Sequence, residues 1–209
     1  MTRLPVLFFG IFLTLAASWM GLVLAGHLQF GALEPAAMSE GEIPQPQARS
    51  GLAQEGAFVY ADLGCVYCHS QQTRGDDFGA DVARGWGERQ SVPRDYIFEP
   101  RVMLGTMRTG PDLMAVGQRK TTDWQHLHLF NPQITSEGSI MPPYRFLYDL
   151  KPIKGDEPAP DALRIPDSFP EDQAPEGYQW VPSPRAEALV AYLQSLRLDY
   201  DLPESSRPE

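Results

Sequence analysis

The chain of 209 residues has two cysteines, and both fall in one pentapeptide, Cys65-Val66-Tyr67-Cys68-His69. Two thiols three residues apart can each add to one vinyl group of a single porphyrin, while the imidazole that follows is carried beneath the iron. Cys-x-x-Cys-His is on those grounds the signature of covalent c-type haem attachment. Two other chemistries share the Cys-x-x-Cys spacing and fit less well. A structural zinc site needs a second Cys/His pair, and there is no third cysteine. A thioredoxin-like redox pair belongs to a βαβ pattern, which is not found near the motif. The expected cofactor is one covalent haem c, attached at Cys65 and Cys68, with His69 as the proximal iron ligand.

A sixth ligand has to come from the chain beyond His69, which offers Met103, Met107, Met114, Met141, His126 and His128. Met141 is the expected one. It sits in Ser139-Ile140-Met141-Pro142-Pro143-Tyr144, a Pro-stiffened loop 72 residues beyond His69, enough chain to wrap a porphyrin. Met/His ligation raises the reduction potential, which suits electron delivery towards oxygen. The other three methionines read as flexible apolar packing. His126 and His128 lie two residues apart and so point to different helix faces, which lets at most one face the iron. A packed or hydrogen-bonded imidazole is the expectation for both. With an open sixth site, either histidine could instead serve as the acid–base group of a haem enzyme or gas sensor. The Pro-flanked methionine loop argues for closure.

Elements must hold these groups in place. Leu52, Gly56, Val59, Tyr60 and Leu63 follow the spacing i, i+4, i+7, i+8, i+11, which predicts an amphipathic helix capped by Ser50 and ended by Gly64, just before the motif. Thr122-Asp123-Trp124 opens a short helix through Phe130 that Asn131-Pro132 stops. Ser183-Pro184 reads as an N-cap followed by proline at the first helical position, with Leu189, Tyr192, Leu193 and Leu196 along one face of the last helix.

From Leu4 to Leu28 the chain is apolar and uncharged. About 20 such residues cross a bilayer, whereas the core of a cleaved secretory signal is roughly 7–15 long, so an uncleaved anchor is expected despite small residues at Ala16-Ala17-Ser18. Arg3 and the amino terminus are the positive groups on the short side, which puts the N-terminus in the cytoplasm and everything after Phe30 outside. Residues 31–50, with Pro35, Pro44 and Pro46 and no apolar periodicity, read as a tether. Beyond the anchor, 27 acidic residues face 16 basic ones, a balance of −11 that makes nucleic acid an improbable partner. Residues 155–209 hold 12 Asp or Glu against 4 Arg, and such a surface would steer a basic soluble electron donor.

A helix before the haem motif and another at the C-terminus resemble the plan of class I cytochromes c, in which those two helices cross. By that resemblance the fold is mainly α, and Gly56 would let the last helix approach near Leu193 or Tyr192. Gly110-Pro111-Asp112-Leu113 is similar to the Gly-Pro-x-Leu segment of such cytochromes, which implies that the Pro111 carbonyl accepts the Nδ1 proton of His69. Arg108 and Arg119 are candidates for pairing with haem propionates, or else are solvated charges.

Several linked motifs narrow the resemblance. Gly64-Cys65 through His69-Ser70-Gln71 with Arg74, Arg108-Thr109-Gly110-Pro111-Asp112-Leu113, Asp123-Trp124, His128-Leu129, Ser139-Ile140-Met141-Pro142 and Tyr144 together resemble the membrane-anchored monohaem subunit of cbb-type cytochrome c oxidases. The likeness spans roughly Gly51 to Leu147 and departs at Gln72-Thr73, across Gly75–Leu104 and in a Pro-rich segment, 151–184, with eight prolines. It implies an electron carrier in aerobic respiration, bound to a catalytic haem-copper oxidase subunit and other cytochrome subunits in the bacterial inner membrane, with the haem domain periplasmic. A free-standing tethered carrier serving nitric oxide reductase or another acceptor would need the same residues. The expected organisation is an anchor at 4–30, a tether at 31–50, a haem domain at 51–198 containing the Pro-rich segment, and an acidic tail at 199–209.

Overall fold

An uninterrupted apolar helix, α1 (Leu4–Phe30, 27 residues), opens the computed structural model, which describes residues 3–155 and 157–207. Position 156 of the Pro-rich segment and the last two residues of the expected tail lie outside the described residues. At about 1.5 Å per residue, α1 is roughly 40 Å long, more than the ~30 Å hydrocarbon core of a bilayer. None of its positions is buried against the rest of the chain, and a helix apolar on every side needs lipid or protein around it. One π-type turn, Met20–Leu24, interrupts its α geometry.

Residues 31–50 hold to the haem domain more closely than a bare tether. Ala36 and Gln45 form an antiparallel bridge, Pro46 is buried, and Arg49 pairs with Glu99. Helix α2 (Gly51–Asp62) begins where expected, with the Ser50 hydroxyl accepting from the Ala53 amide at 3.3 Å. It ends at Gly64, whose φ of +74° only glycine adopts without strain. After a long irregular stretch come α3 (Val116–Arg119), α4 (Thr122–Phe130) and α5 (Pro132–Thr135). Thr121 caps α4 and Asn131 caps α5. A two-stranded antiparallel ribbon follows, β1 (Tyr148–Pro152) against β2 (Tyr178–Pro182), with Leu150 opposite Trp180. Helix α6 (Pro184–Ser195) closes the domain under the Ser183 cap.

The core forms where α2 crosses α6. A Cβ at Gly56 would run into the carbonyl of Ala188 and come within 2.7 Å of the Tyr192 Cβ, so the missing side chain is what lets the backbones meet. Tyr192 is the contact expected from the sequence; Ala188, not Leu193, is the other. The rings of Tyr60 and Tyr192 meet in that crossing, tilted by 59° with centroids 5.3 Å apart. Leu189, Tyr192 and Leu196 are fully buried with Phe130 and Leu147 in the same cluster.

Two segments are more ordered than their composition implies. The Pro-rich stretch is the connection between β1 and β2 and lies back on the domain: Leu163 N–H donates to the Trp180 carbonyl at 2.9 Å, and Leu163 and Ile165 pack on the core. The acidic tail is docked as well. Leu198 and Leu202 are buried, and Arg89 donates to the Tyr200 carbonyl at 2.8 Å while bonding both oxygens of buried Asp95.

Candidate cofactor site

Gly64 turns the chain out of α2 into one 3-10 turn, Cys65–Tyr67, so both sulfurs and the following imidazole leave a single corner. Neither cysteine is in a disulfide; Cys65 is half-buried and Cys68 exposed. Burial pushes the Cys65 thiol up to about 11. The His69 amide donates back to the Cys65 carbonyl at 3.0 Å, which fixes the ring against the turn.

Across from this corner, the Pro111 carbonyl lies 2.8 Å from Nδ1 of His69. A carbonyl can only accept, so Nδ1 carries the proton and Nε2 keeps its lone pair for a metal. Burial also lowers the imidazole's affinity for a second proton, against the opposing influence of the Pro111 bond, and so keeps the neutral, ligating form. Gly110 makes room for the ring: a Cβ there would collide with its Cε1 and sit 2.7 Å from Nδ1.

His69 opens onto a narrow apolar cleft of about 80 Å³. Cys65, Trp124, Leu189 and Leu193 line it, and so does Met141, so α2, α4, α6 and the methionine loop each supply a wall. A larger hollow of about 560 Å³ between α4, the Pro-rich stretch and α6 has Asp123, Asp161, Arg164 and Glu187 on its rim, and it includes neither cysteine, His69 nor Met141. The other methionines take packing positions or solvent: Met103 and Met114 are buried and Met107 is exposed.

The two histidines of α4 divide as their spacing requires. His128 faces the cleft, stacks on Trp124 at 4.5 Å, and has its Nδ1 2.6 Å from the Thr135 hydroxyl. Burial lowers its pKa to about 4. His126 looks the other way, 3.2 Å from the Tyr148 hydroxyl, and lines the polar hollow.

The arginines divide too. Arg119 lines the cleft, held by bonds to the carbonyls of Asp112 (2.9 Å) and Ala115 (3.2 Å). Lys120 is beside it, 4.3 Å over the Trp124 ring. Arg108 is not among the lining residues, and its guanidinium is committed to protein: Ser70 Oγ at 2.9 Å, Asp81 at 2.6 Å and the Gln72 carbonyl at 2.6 Å. At the centre of that knot is Asp112, fully buried, which accepts from Ser70 Oγ (2.6 Å), Gln72 N–H (2.7 Å) and Met114 N–H (2.9 Å). It ties the segment after His69 to the segment carrying Pro111. Sequence reasoning passed over Asp112; its place directly after Gly110-Pro111 was the available signal.

The residues present suit a covalent haem. The donor set combines two thiols, an imidazole with its outer nitrogen fixed, and a thioether on the same cleft, and the walls are apolar. Two cations stand at the rim where carboxylates could be met. Gln125, buried on the wall, leaves its Nε2 without a hydrogen-bond partner, a donor suited to a polar group inside the cleft.

A family model described as "Cytochrome C oxidase, mono-heme subunit/FixO" matches residues 11–157. A search of curated proteins found no match to this chain.

Proposed function

The chain belongs to the mono-haem subunit family of cytochrome c oxidases, and from that membership we propose how its residues carry electrons to the catalytic subunit. It is the electron-transfer subunit of a cbb-type oxidase and binds one haem c. Bound in the cleft, the haem supplies a one-electron couple. Every other task falls to the protein.

Cys65 and Cys68 would hold the group through two thioether links. His69 would present Nε2 to the iron, and the Pro111 carbonyl, by accepting the Nδ1–H hydrogen bond, orients the ring and strengthens it as a donor. Met141, on the same cleft, would supply a second iron ligand. Arg119 and Lys120 meet the propionates, while Arg108, fully engaged by Ser70, Asp81 and Gln72, acts as a strut for the strands around His69. Leu189, Leu193 and Trp124 exclude water, which limits reorganisation when the charge on the iron changes.

The observation that carries this reading is the placement of His69 and Met141 on one apolar cleft, with His69 already fixed by Pro111. The sulfur corner is also the side from which electrons can pass. Cys68 is exposed there, and Tyr67 and Ile140, next to the attachment turn and to Met141, are among the most exposed apolar side chains of the domain. Helix α1 anchors the domain beside its integral partner, with the N-terminus cytoplasmic and the haem domain periplasmic. The acidic surface of residues 155–207 favours a basic soluble donor.

Copurification from detergent-solubilised native membranes tests the assignment. The c-type spectrum should travel with b-type haem, a carbon-monoxide-reactive centre and oxygen consumption. A lone c-type chain, silent to carbon monoxide, would reduce the protein to a tethered carrier for some other acceptor.

A further inference from the structure

The loop that brings Met141 to the cleft has little internal structure. Pro142 and Pro143 have no N–H to donate. The Met141 amide reaches only the Ser139 hydroxyl, at 3.3 Å. Gln133 braces the early part, accepting from Gly138 N–H at 2.9 Å and donating to the Ser139 carbonyl at 2.5 Å. Past Ser139, the next backbone bond is Tyr144 N–H to the Leu129 carbonyl, 2.8 Å. The position of the thioether therefore depends on how firmly the flanks of the loop are held, at Asn131, which caps α5 before it, and at Arg145 after it.

One carboxylate holds both. Asp172 is 3% exposed; its Oδ2 accepts from Asn131 Nδ2 at 2.5 Å and its Oδ1 pairs with the Arg145 guanidinium, which also lies 5.3 Å over the Phe130 ring. Such charge-assisted bonds are stronger than neutral ones, and a buried carboxylate tolerates no loss of its partners. Asp172 ends the 3-10 turn Pro170–Asp172 in the middle of the Pro-rich connection, where Gln173 ties the chain to the carbonyls of Ile165 and Pro166, each at 3.1 Å. This lies beyond residue 157, where the family match stops.

We propose that Asp172 is a positioning residue for the sixth iron ligand, and that the Pro-rich connection exists to carry it: by clamping Asn131 and Arg145 the carboxylate keeps the Met141 loop closed over the cleft. The inference rests on the reading of Met141 as ligand. It gives a segment that touches neither iron nor porphyrin a measurable effect on both ligand exclusion and potential.

The test uses the full chain with haem attached, in detergent, comparing Met141→Ala, Asp172→Ala, Asp172→Asn, Arg145→Gln and, as a control on the exposed neighbour, Glu171→Gln. Three quantities are read: carbon monoxide binding to the reduced form, the methionine–iron(III) charge-transfer band, and the reduction potential. Asp172→Ala should raise the carbon-monoxide-reactive fraction about tenfold or more over the parent, weaken the charge-transfer band and lower the potential, with the covalent haem spectrum retained. Asp172→Asn and Arg145→Gln should move in the same direction by less, and Glu171→Gln should match the parent. If Met141→Ala admits carbon monoxide while all three clamp variants stay closed, or merely melt earlier with potential and band unchanged, the clamp is refuted and Met141 stands. If Met141→Ala itself stays closed, Met141 is not the ligand and both readings fall. Should Asp172→Ala fail to accumulate, the near-isosteric Asp172→Asn and the half-exposed Arg145→Gln decide the matter alone.

Discussion

At the scale of single residues, the cleft separates groups that meet the cofactor from groups that only hold those groups. Arg108 and Arg119 are eleven positions apart and look alike as sequence, yet Arg108 spends its donors on Ser70, Asp81 and Gln72 while Arg119 stays on the cleft wall. Their substitutions should therefore part company. Arg119→Gln removes a cation from the cleft wall, and loss of positive charge near a bound haem favours the oxidised state, so the potential should fall by about 1 kcal/mol, a few tens of millivolts for a one-electron couple. Arg108→Gln takes the cation away from the buried Oδ1 of Asp81, while Asp112 keeps its donors from Ser70, Gln72 and Met114. It should cost about 3–5 kcal/mol of stability in denaturant unfolding, with a smaller change in potential. A redox titration in which the two variants shift equally would show that Arg108 also faces a propionate.

At the scale of elements, segments that carry no recognisable pattern do much of the bracing. The C-terminal strap is the clearest case. Arg94 bonds Glu204, Arg197 bonds Asp199 and Arg207 bonds Asp201, and each of these hydrogen bonds is the main cause holding its carboxyl below the usual carboxylate range. A carboxyl depressed in the folded state contributes stability that is present above its unfolded pKa of about 4 and is lost as pH falls through the folded value. The strap should accordingly loosen below about pH 4, before the α2–α6 crossing, which is held by Gly56 packing and apolar burial. Hydrogen exchange at Leu202 and Ser205, whose amide and carbonyl groups bridge each other, should accelerate first on acidification. Uniform acceleration across α6 and the strap would show that they unfold as one unit.

At the scale of the whole molecule, the anchor and the haem domain are joined by a segment fixed at several points, including Arg49 to Glu99 and the Ala36–Gln45 bridge. Confinement beside an integral partner raises effective concentration without any new contact. Removing residues 3–30 should leave the reduced spectrum of the haem domain unchanged while lowering oxygen consumption by the reconstituted complex by about 10²-fold. Equal turnover would mean that the domain's own surface suffices for docking. How much of this was legible beforehand follows from the range of the interactions involved. The haem motif, the caps at Ser50 and Ser183, the stop at Asn131-Pro132 and the apolar run of α1 are local: spacing, a capping oxygen or a missing N–H acts within a few residues, so composition and order suffice to read them. Gly56 was legible as a place of close approach, though the partner at Ala188 was not. Other features depend on contacts across 27 residues or more, to which no local pattern corresponds. Asp112 joins Ser70 and Gln72, Asp172 reaches back to Asn131 and Arg145, and the strap closes on Arg89 and Asp95. A buried carboxylate reads in sequence like any surface acid. What it holds is decided only when the folded chain takes water away from it and leaves specific donors in its place.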